Sequence, residues 1–82
     1  MDGEGLMENI TGRLEGWHQD NVFPHIIWGN LFDDVHKRWR EGTRIHTSNV
    51  KTPREEWAEG KVVTTLNSRY LLGKPYPVSV KV

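Results

Sequence analysis

Short stretches in which apolar and polar residues alternate recur along the chain, and they predict a mainly β protein. From Ile10 to Leu14 the apolar positions repeat every second residue, as they do in a half-buried strand. Gly16 interrupts this period, which indicates a β-bulge. The run 25–32 is apolar on both faces and predicts a central strand, in which Gly29 lets another backbone or a large ring approach closely.

The second half of the chain predicts a third strand, a hairpin and a final edge strand. Residues 43–50 show the alternation of a strand. The β-branched run 61–66 and the run 69–72 predict a hairpin whose turn lies at 67–68. Residues 78–82 alternate cleanly and predict an edge strand.

Two segments carry signals for a short helix. Asp34 can cap a single helical turn within 35–42, although a long hairpin loop is equally consistent with this charged segment. Thr52 and Glu55 have the spacing of a capping box and predict a helix of one to two turns that ends at Gly60.

These elements predict the fold class. Five or six short strands with close spacing favour a small antiparallel barrel or a strongly bent sheet, similar to an SH3 domain, with one or two helical turns. A chain of 82 residues has room for one domain. We assign that domain to residues 9–82, and we expect residues 1–8, which contain two glycines and three acids, to form a flexible tail.

Composition narrows the class of protein. The chain has no cysteine, so neither disulfides nor thiolate metal sites can supplement a small core. No apolar run approaches the roughly 18 residues that a membrane helix needs, and the acidic N-terminus is unlike a signal peptide. We therefore expect a cytoplasmic protein without a membrane partner.

Charge is balanced overall but divided unevenly. Residues 1–34 carry seven acids and one base, a net charge of −6, and residues 35–82 carry ten Lys or Arg and four Glu, a net charge of +6. Zero net charge gives no long-range attraction to nucleic acid. The asymmetry predicts either separate acidic and basic faces or strands of the two halves that neutralise each other.

Residues that could catalyse a reaction or bind a metal are scattered along the sequence. The 4 histidines show no metal-ligand spacing, and no glycine-rich phosphate loop occurs. His46 and Ser48 share a face of the predicted strand, but the sequence lacks the exposed nucleophile turn of a Ser–His–Asp site. Asp33 and Asp34 are adjacent and would point to opposite sides of an extended chain. The sequence predicts no enzyme, no metal and no cofactor.

The 4 tryptophans carry different expectations. Large rings fill the core of a small domain, so most of them should be buried. We expect Trp28 to be buried, Trp57 to be partly buried and Trp39 to be the most exposed.

A basic and aromatic segment at 36–40 is the main candidate for a binding surface. Trp and Arg dominate the hot spots of protein interfaces, which favours a protein partner. The same residue types can neutralise phosphates and stack on a base, so direct binding of DNA or RNA is the alternative. The candidate partner-binding residues are Lys37, Arg38, Trp39, Arg40, Arg44 and His46, with the acidic pair Asp33 and Asp34 second.

Two segments resemble small phage and prophage proteins. The stretch Gly42-Thr-Arg-Ile-His-Thr-Ser-Asn-Val50 is similar to a Gly-x-x-Ile-His-Thr-Ser strand of those proteins. The stretch 60–73 is similar to their Val-Val-Thr-Thr-x-Asn-Ser-x-Tyr-x-Leu-Gly hairpin. The resemblance extends over roughly residues 10–73 and implies an architecture rather than a chemistry.

The resemblance also implies a class of function. Small phage proteins often bind and block a host factor, and anti-CRISPR and other anti-defence proteins are the best-known group. By analogy this chain would inhibit or modulate a host protein or nucleoprotein complex, without catalysis, in the host cytoplasm. The segment 36–41 replaces a short glycine turn of the family, so a function at this loop would belong to this chain alone.

Overall fold

The computed structural model describes residues 10–77, so the tail predicted at 1–8 and the edge strand predicted at 78–82 lie outside the described residues. The protein is mainly β, as predicted, and the one helical element among the described residues is a single 3-10 turn at Arg54–Glu56. Residues 10–77 contain five strands: Gly12–Gln19 (β1), Ile27–Phe32 (β2), Thr43–His46 (β3), Val62–Thr64 (β4) and Arg69–Leu72 (β5).

The strands form one bent sheet in the order β3-β2-β1-β5-β4. Neighbouring strands are antiparallel except β1 and β5, which are parallel, so the sheet is mixed rather than wholly antiparallel. A parallel pair needs a crossover, and residues 47–61 supply it by carrying the chain from β3 to the far edge of the sheet. On the way Val50 forms an isolated antiparallel bridge with Thr65, and the sheet does not close into a barrel.

The inner face of the sheet forms the core. Leu14, Ile27 and Leu31 have essentially no exposed surface, and Val63 and Leu72 cover them from the other strands. Burial of each such side chain contributes about 1.5–3 kcal/mol before the entropy of ordering the chain is subtracted.

A bulge at Gly16 lets β1 bury in the core a side chain that precedes the bulge and one that follows it. Gly16 has φ +60° and the register of β1 against β2 shifts there, which confirms the bulge. Because of the shift, Leu14 and Trp17 both face the core. Gly29 lies beneath them, and a Cβ at Gly29 would lie 3.1 Å from the Cβ of Leu14 and 3.4 Å from that of Trp17. The close approach predicted at Gly29 is therefore confirmed.

Of the two alternatives left open for residues 35–42, the hairpin loop is the one that forms. Other local predictions are wrong. The predicted capping box is absent, because the Thr52 hydroxyl accepts a hydrogen bond from the Thr64 N–H at 2.9 Å instead of capping the turn. Trp28 is only half-buried, whereas Trp57 is 5% exposed and more buried than expected.

Candidate functional site

The outer face of the sheet, opposite the core, carries a polar and aromatic surface across β1, β2 and β3. Trp28 of β2 lies between His18 of β1 and His46 of β3. The next row toward the end of β2 places Asn30 beside Arg44. Side chains alternate between the two faces of each strand. The residues that do not face the core are therefore brought together on the outer face.

Trp28 is the centre of this surface and is held by its neighbours. Its indole N–H donates a hydrogen bond to Asp20 Oδ1 at 2.8 Å. The His46 ring lies 5.0 Å away at an angle of 56°, and the Arg44 guanidinium carbon lies 5.9 Å from the indole centroid. Such tilted-ring and cation–π contacts fix the orientation of the ring.

Hydrogen bonds also fix Arg44. Its guanidinium donates to Asn30 Oδ1 at 3.0 Å and to His18 Nε2 at 2.6 Å. Because Arg donates only, His18 Nε2 accepts and the ring proton lies on Nδ1, which donates to the Gln19 carbonyl at 3.1 Å. Tyr76 continues the surface, with its ring 5.6 Å from that of His18.

A groove opens beside Trp28, between the outer face and the loop 20–26. Its volume is about 330 Å³. Phe23 forms the rim of the groove and is 64% exposed. The groove is lined by Asp20, Phe23, Ile26, Trp28, His46 and Asn49.

Asp20 shapes the groove through its carboxylate. Oδ2 accepts hydrogen bonds from the Val22 and Phe23 N–H groups, each at 2.8 Å, while Oδ1 binds Trp28. The Phe23 N–H, the Trp28 indole and the Val22 N–H together lower the pKa of Asp20, so the carboxylate is ionised at neutral pH. One side chain therefore fixes the indole of Trp28 and the backbone of Phe23.

Asp34 was predicted as part of an exposed acidic pair that binds a partner, but in the structure it is buried and stabilises the loop that follows it. It is only 7% exposed and accepts from the His36 N–H at 3.2 Å and the Arg38 N–H at 3.0 Å. Its carboxylate also accepts from the Arg38 guanidinium at 3.1 and 3.3 Å. Burial opposes ionisation, but the Arg38 side chain and these N–H groups outweigh it and lower the pKa of Asp34. Asp34 in turn raises the pKa of Arg38.

The other predicted residues divide into two groups. Lys37, Trp39 and Arg40 are exposed on the loop 33–42, with Trp39 52% exposed as the sequence predicted. Arg44 and His46 lie instead on the outer face of the sheet. Asp33 is exposed, has φ +60°, and pairs with the guanidinium of Arg13 on β1.

His46 links these two groups at the free edge of the sheet. It lines the groove on the outer side of β3 and also a depression of about 200 Å³ on the inner side. Trp39, Ile45 and Ser48 line that depression together with His46. Among the predicted residues, Arg38 and Trp39 therefore lie at the inner side of β3 and Arg44 at its outer side, and His46 borders both recesses.

Sequence reasoning did not identify Trp28, Phe23 and Asp20 as site residues. The spacing Asp20 to Phe23 is typical of an Asx-type turn, in which a carboxylate accepts N–H groups two and three residues later. The outward direction of Trp28 has a weaker signal, its shared face with the polar Asn30.

Within residues 10–77, no three His, Asp or Glu side chains come together as a metal site would require. The helix in that range is far too short to cross a membrane. No protein-family model matches the chain, and comparisons with curated proteins and with solved structures find no match.

Proposed function

We propose that this chain is a non-catalytic binding protein that attaches to a protein partner through the groove beside Trp28. The observation that carries the proposal is the pair of aromatic walls, Phe23 and Trp28, on either side of an open concave surface, with Asp20 bonded to the Trp28 indole and to the Phe23 backbone N–H. A preformed pocket with an aromatic rim suits the anchor side chain of a protein partner, because such pockets concentrate binding energy. Phe23 would bury its exposed ring on binding.

Charge favours a protein over a nucleic acid at this site. Asp20 contributes an ionised carboxylate to the groove, which repels phosphate. Two arginines that could have bound phosphate are already neutralised, Arg38 by Asp34 and Arg13 by Glu15 and Asp33. Nucleic-acid affinity depends on several simultaneous phosphate contacts, and the pairing of these two arginines lowers the number of cations that could make them.

The resemblance to small phage proteins suggests the kind of partner. On that analogy the partner belongs to a host protein or nucleoprotein complex, and a CRISPR or other anti-phage defence complex is the most specific candidate. Stoichiometric binding would inhibit or modulate that complex.

Phe23→Ala tests the groove directly. The side chain is exposed, so its loss should leave the fold intact while lowering affinity for the partner by about tenfold or more. Leu66→Ala is the matched control, since Leu66 is 58% exposed and lies outside the groove. The measurement is quantitative mass spectrometry of proteins that co-purify from nuclease-treated host lysate. A defined partner that the Leu66 variant keeps and the Phe23 variant loses supports the proposal, whereas equal retention by both overturns it.

One feature favours the alternative of direct DNA or RNA binding. Trp28, Tyr76 and Arg44 share the outer face, and base stacking on such rings contributes about 1–3 kcal/mol per base. This alternative requires affinity for a single-stranded oligonucleotide that falls steeply with salt and falls further in Tyr76→Ala. No binding at low salt eliminates it.

A further inference from the structure

The free edge of β3 presents backbone groups that the sheet leaves unpaired. β3 is the terminal strand of the sheet and has β2 as its sheet neighbour. The Thr47 N–H donates to the Ile27 carbonyl at 2.9 Å, so Thr47 and every second residue before it bond to β2. The N–H and C=O groups of Arg44 and His46 therefore point away from β2, and no group within residues 10–77 bonds to them.

The hydrogen bonds at the start of β3 confirm which of its residues bond to β2 and which face the open edge. The Gly42 N–H donates to the Leu31 carbonyl at 2.6 Å, and Gly42 has φ +86°. Gly42 and Thr43 thus both face Leu31, as in a bulge that begins with a glycine. The bulge places the backbone of Arg44 on the open side of the strand.

Recesses lie on both sides of this edge. On the outer side, the groove reaches His46 beside Trp28. On the inner side, Ile45 and Trp39 line the second depression. A strand added to this edge would therefore find positions for its alternate side chains on either face.

We infer that β3 binds an extended acidic segment of the protein partner by strand addition. This inference rests on the proposed function. The backbone of the segment bonds to Arg44 and His46. Its outward side chains lie beside Arg44 and are acidic, and its inward side chains are apolar and pack on Ile45 and Trp39.

Charge selects this occupant. Within residues 10–77 no carboxylate pairs with Lys37, Arg40 or Arg44. Arg44 lies on β3, Arg40 lies at its start because its carbonyl accepts from the Thr43 N–H, and Lys37 is exposed on the loop that leads into the strand. An acidic strand would neutralise them. A second copy of this chain would instead bring its own Arg44 and His46 against the same edge, and like charges directly opposite are destabilising.

The test uses the full chain and a synthetic peptide of about eight residues that alternates valine and glutamate. We expect the peptide to slow hydrogen exchange of the Arg44 and His46 amides by about tenfold or more at saturation, because those N–H groups become hydrogen-bonded. A peptide with lysine in place of glutamate should bind at least about tenfold more weakly at low salt. A peptide N-methylated at alternate residues on its bonding edge should give no protection.

A pair of variants separates backbone from side-chain contributions. Arg44→Thr removes the charge but keeps the N–H, and it should weaken binding severalfold. Arg44→Pro also removes the N–H, which faces away from β2 and is dispensable for the sheet, and it should abolish binding. If the proline variant does not fold, the N-methylated peptide still decides the question.

Several outcomes overturn the inference. These are peptide binding without protection of Arg44 and His46, equal binding of the N-methylated peptide, or no protection at millimolar peptide. Protection that rises with protein concentration alone would identify a second copy as the occupant. An oligonucleotide that protects the same amides would point to nucleic acid. If the peptide does not bind but capture of a protein still depends on Phe23, only the strand addition is refuted. If the peptide binds as expected but capture does not depend on Phe23, the groove is refuted.

Discussion

Asp20 and Asp34 organise two loops in the same way but to different ends. Each follows a strand and accepts hydrogen bonds from two N–H groups of the loop it begins. Asp34 closes this arrangement with Arg38, a cation four residues later, and is buried. Asp20 closes it with Trp28, a neutral donor, and stays open to the groove.

The difference shows how one turn motif serves stability in one place and binding in another. A carboxylate that is buried with its own cation has its charge satisfied and holds the chain. A carboxylate that binds an indole positions an aromatic wall and keeps a negative charge at the surface. The partner of the aspartate, rather than the turn, decides which result follows.

The largest expected effect is on stability and concerns Asp34→Ala. The change leaves two N–H groups and the Arg38 guanidinium without their acceptor, so we expect the free energy of unfolding to fall by about 2–3 kcal/mol. Urea unfolding at neutral pH measures it, with an unchanged dependence on denaturant as the check for two-state behaviour. Asp20→Ala should destabilise clearly less and should weaken partner binding instead. Equal destabilisation by the two changes would contradict the comparison.

A smaller effect is expected from Gly42→Ala, at the end of the Asp34 loop. Gly42 has φ +86°, whereas an added Cβ would meet the Phe32 ring at an ordinary 3.5 Å, so the cost is conformational. We expect a loss of about 1–2 kcal/mol in the free energy of unfolding. Asn21→Ala is the matched control, since Asn21 is exposed in the Asp20 loop and its φ is negative. A control that loses as much as Gly42→Ala would show that backbone conformation is not the cause.

The elements that the sequence predicted well are those with local signals. The hairpin of β4 and β5, the bulge at Gly16 and the exposure of Trp39 each depend on a few neighbouring residues. The parallel pairing of β1 with β5 depends on the path of residues 47–61 across the sheet. The alternation of apolar and polar residues in the sequence does not predict this path. The failed capping box has a similar cause, because the Thr52 hydroxyl binds a distant strand.

The candidate site was predictable only in part, for the same reason. Trp39 and the cations around β3 were identified by residue type. Asp34 and Arg38 looked like free surface charges, since their mutual bonds require the fold of the loop. The groove depends on contacts between Asp20 and Trp28 and between Trp28 and His46, which lie on different elements. A site formed by side chains of different strands cannot be predicted until the pairing register of those strands is known.

A still smaller effect is expected in the pH dependence of stability, first at Asp34. The pKa of Asp34 is lower in the folded chain than its ordinary value of 3.8, so the folded state gains stability once the unfolded carboxylate is ionised, above about pH 4. That gain is lost as the pH falls through the lower folded pKa. In Asp34→Asn this contribution is missing at every pH. The difference in unfolding free energy between the parent and Asp34→Asn should therefore be constant from about pH 7 to pH 5 and should shrink below about pH 4.

Asp20→Asn gives the counterpart in the other loop. The pKa of Asp20 is also lowered, chiefly by the Phe23 N–H and the Trp28 indole, so the sign of its pH dependence is the same. Because Asp20 lines an open groove and no cation within residues 10–77 is bonded to it, the change with pH should be smaller and should diminish further in high salt. Urea unfolding of the parent and both variants across this pH range measures the two differences. A larger pH dependence at Asp20 than at Asp34 would mean that the open carboxylate, and not the buried one, carries the electrostatic stability of the fold.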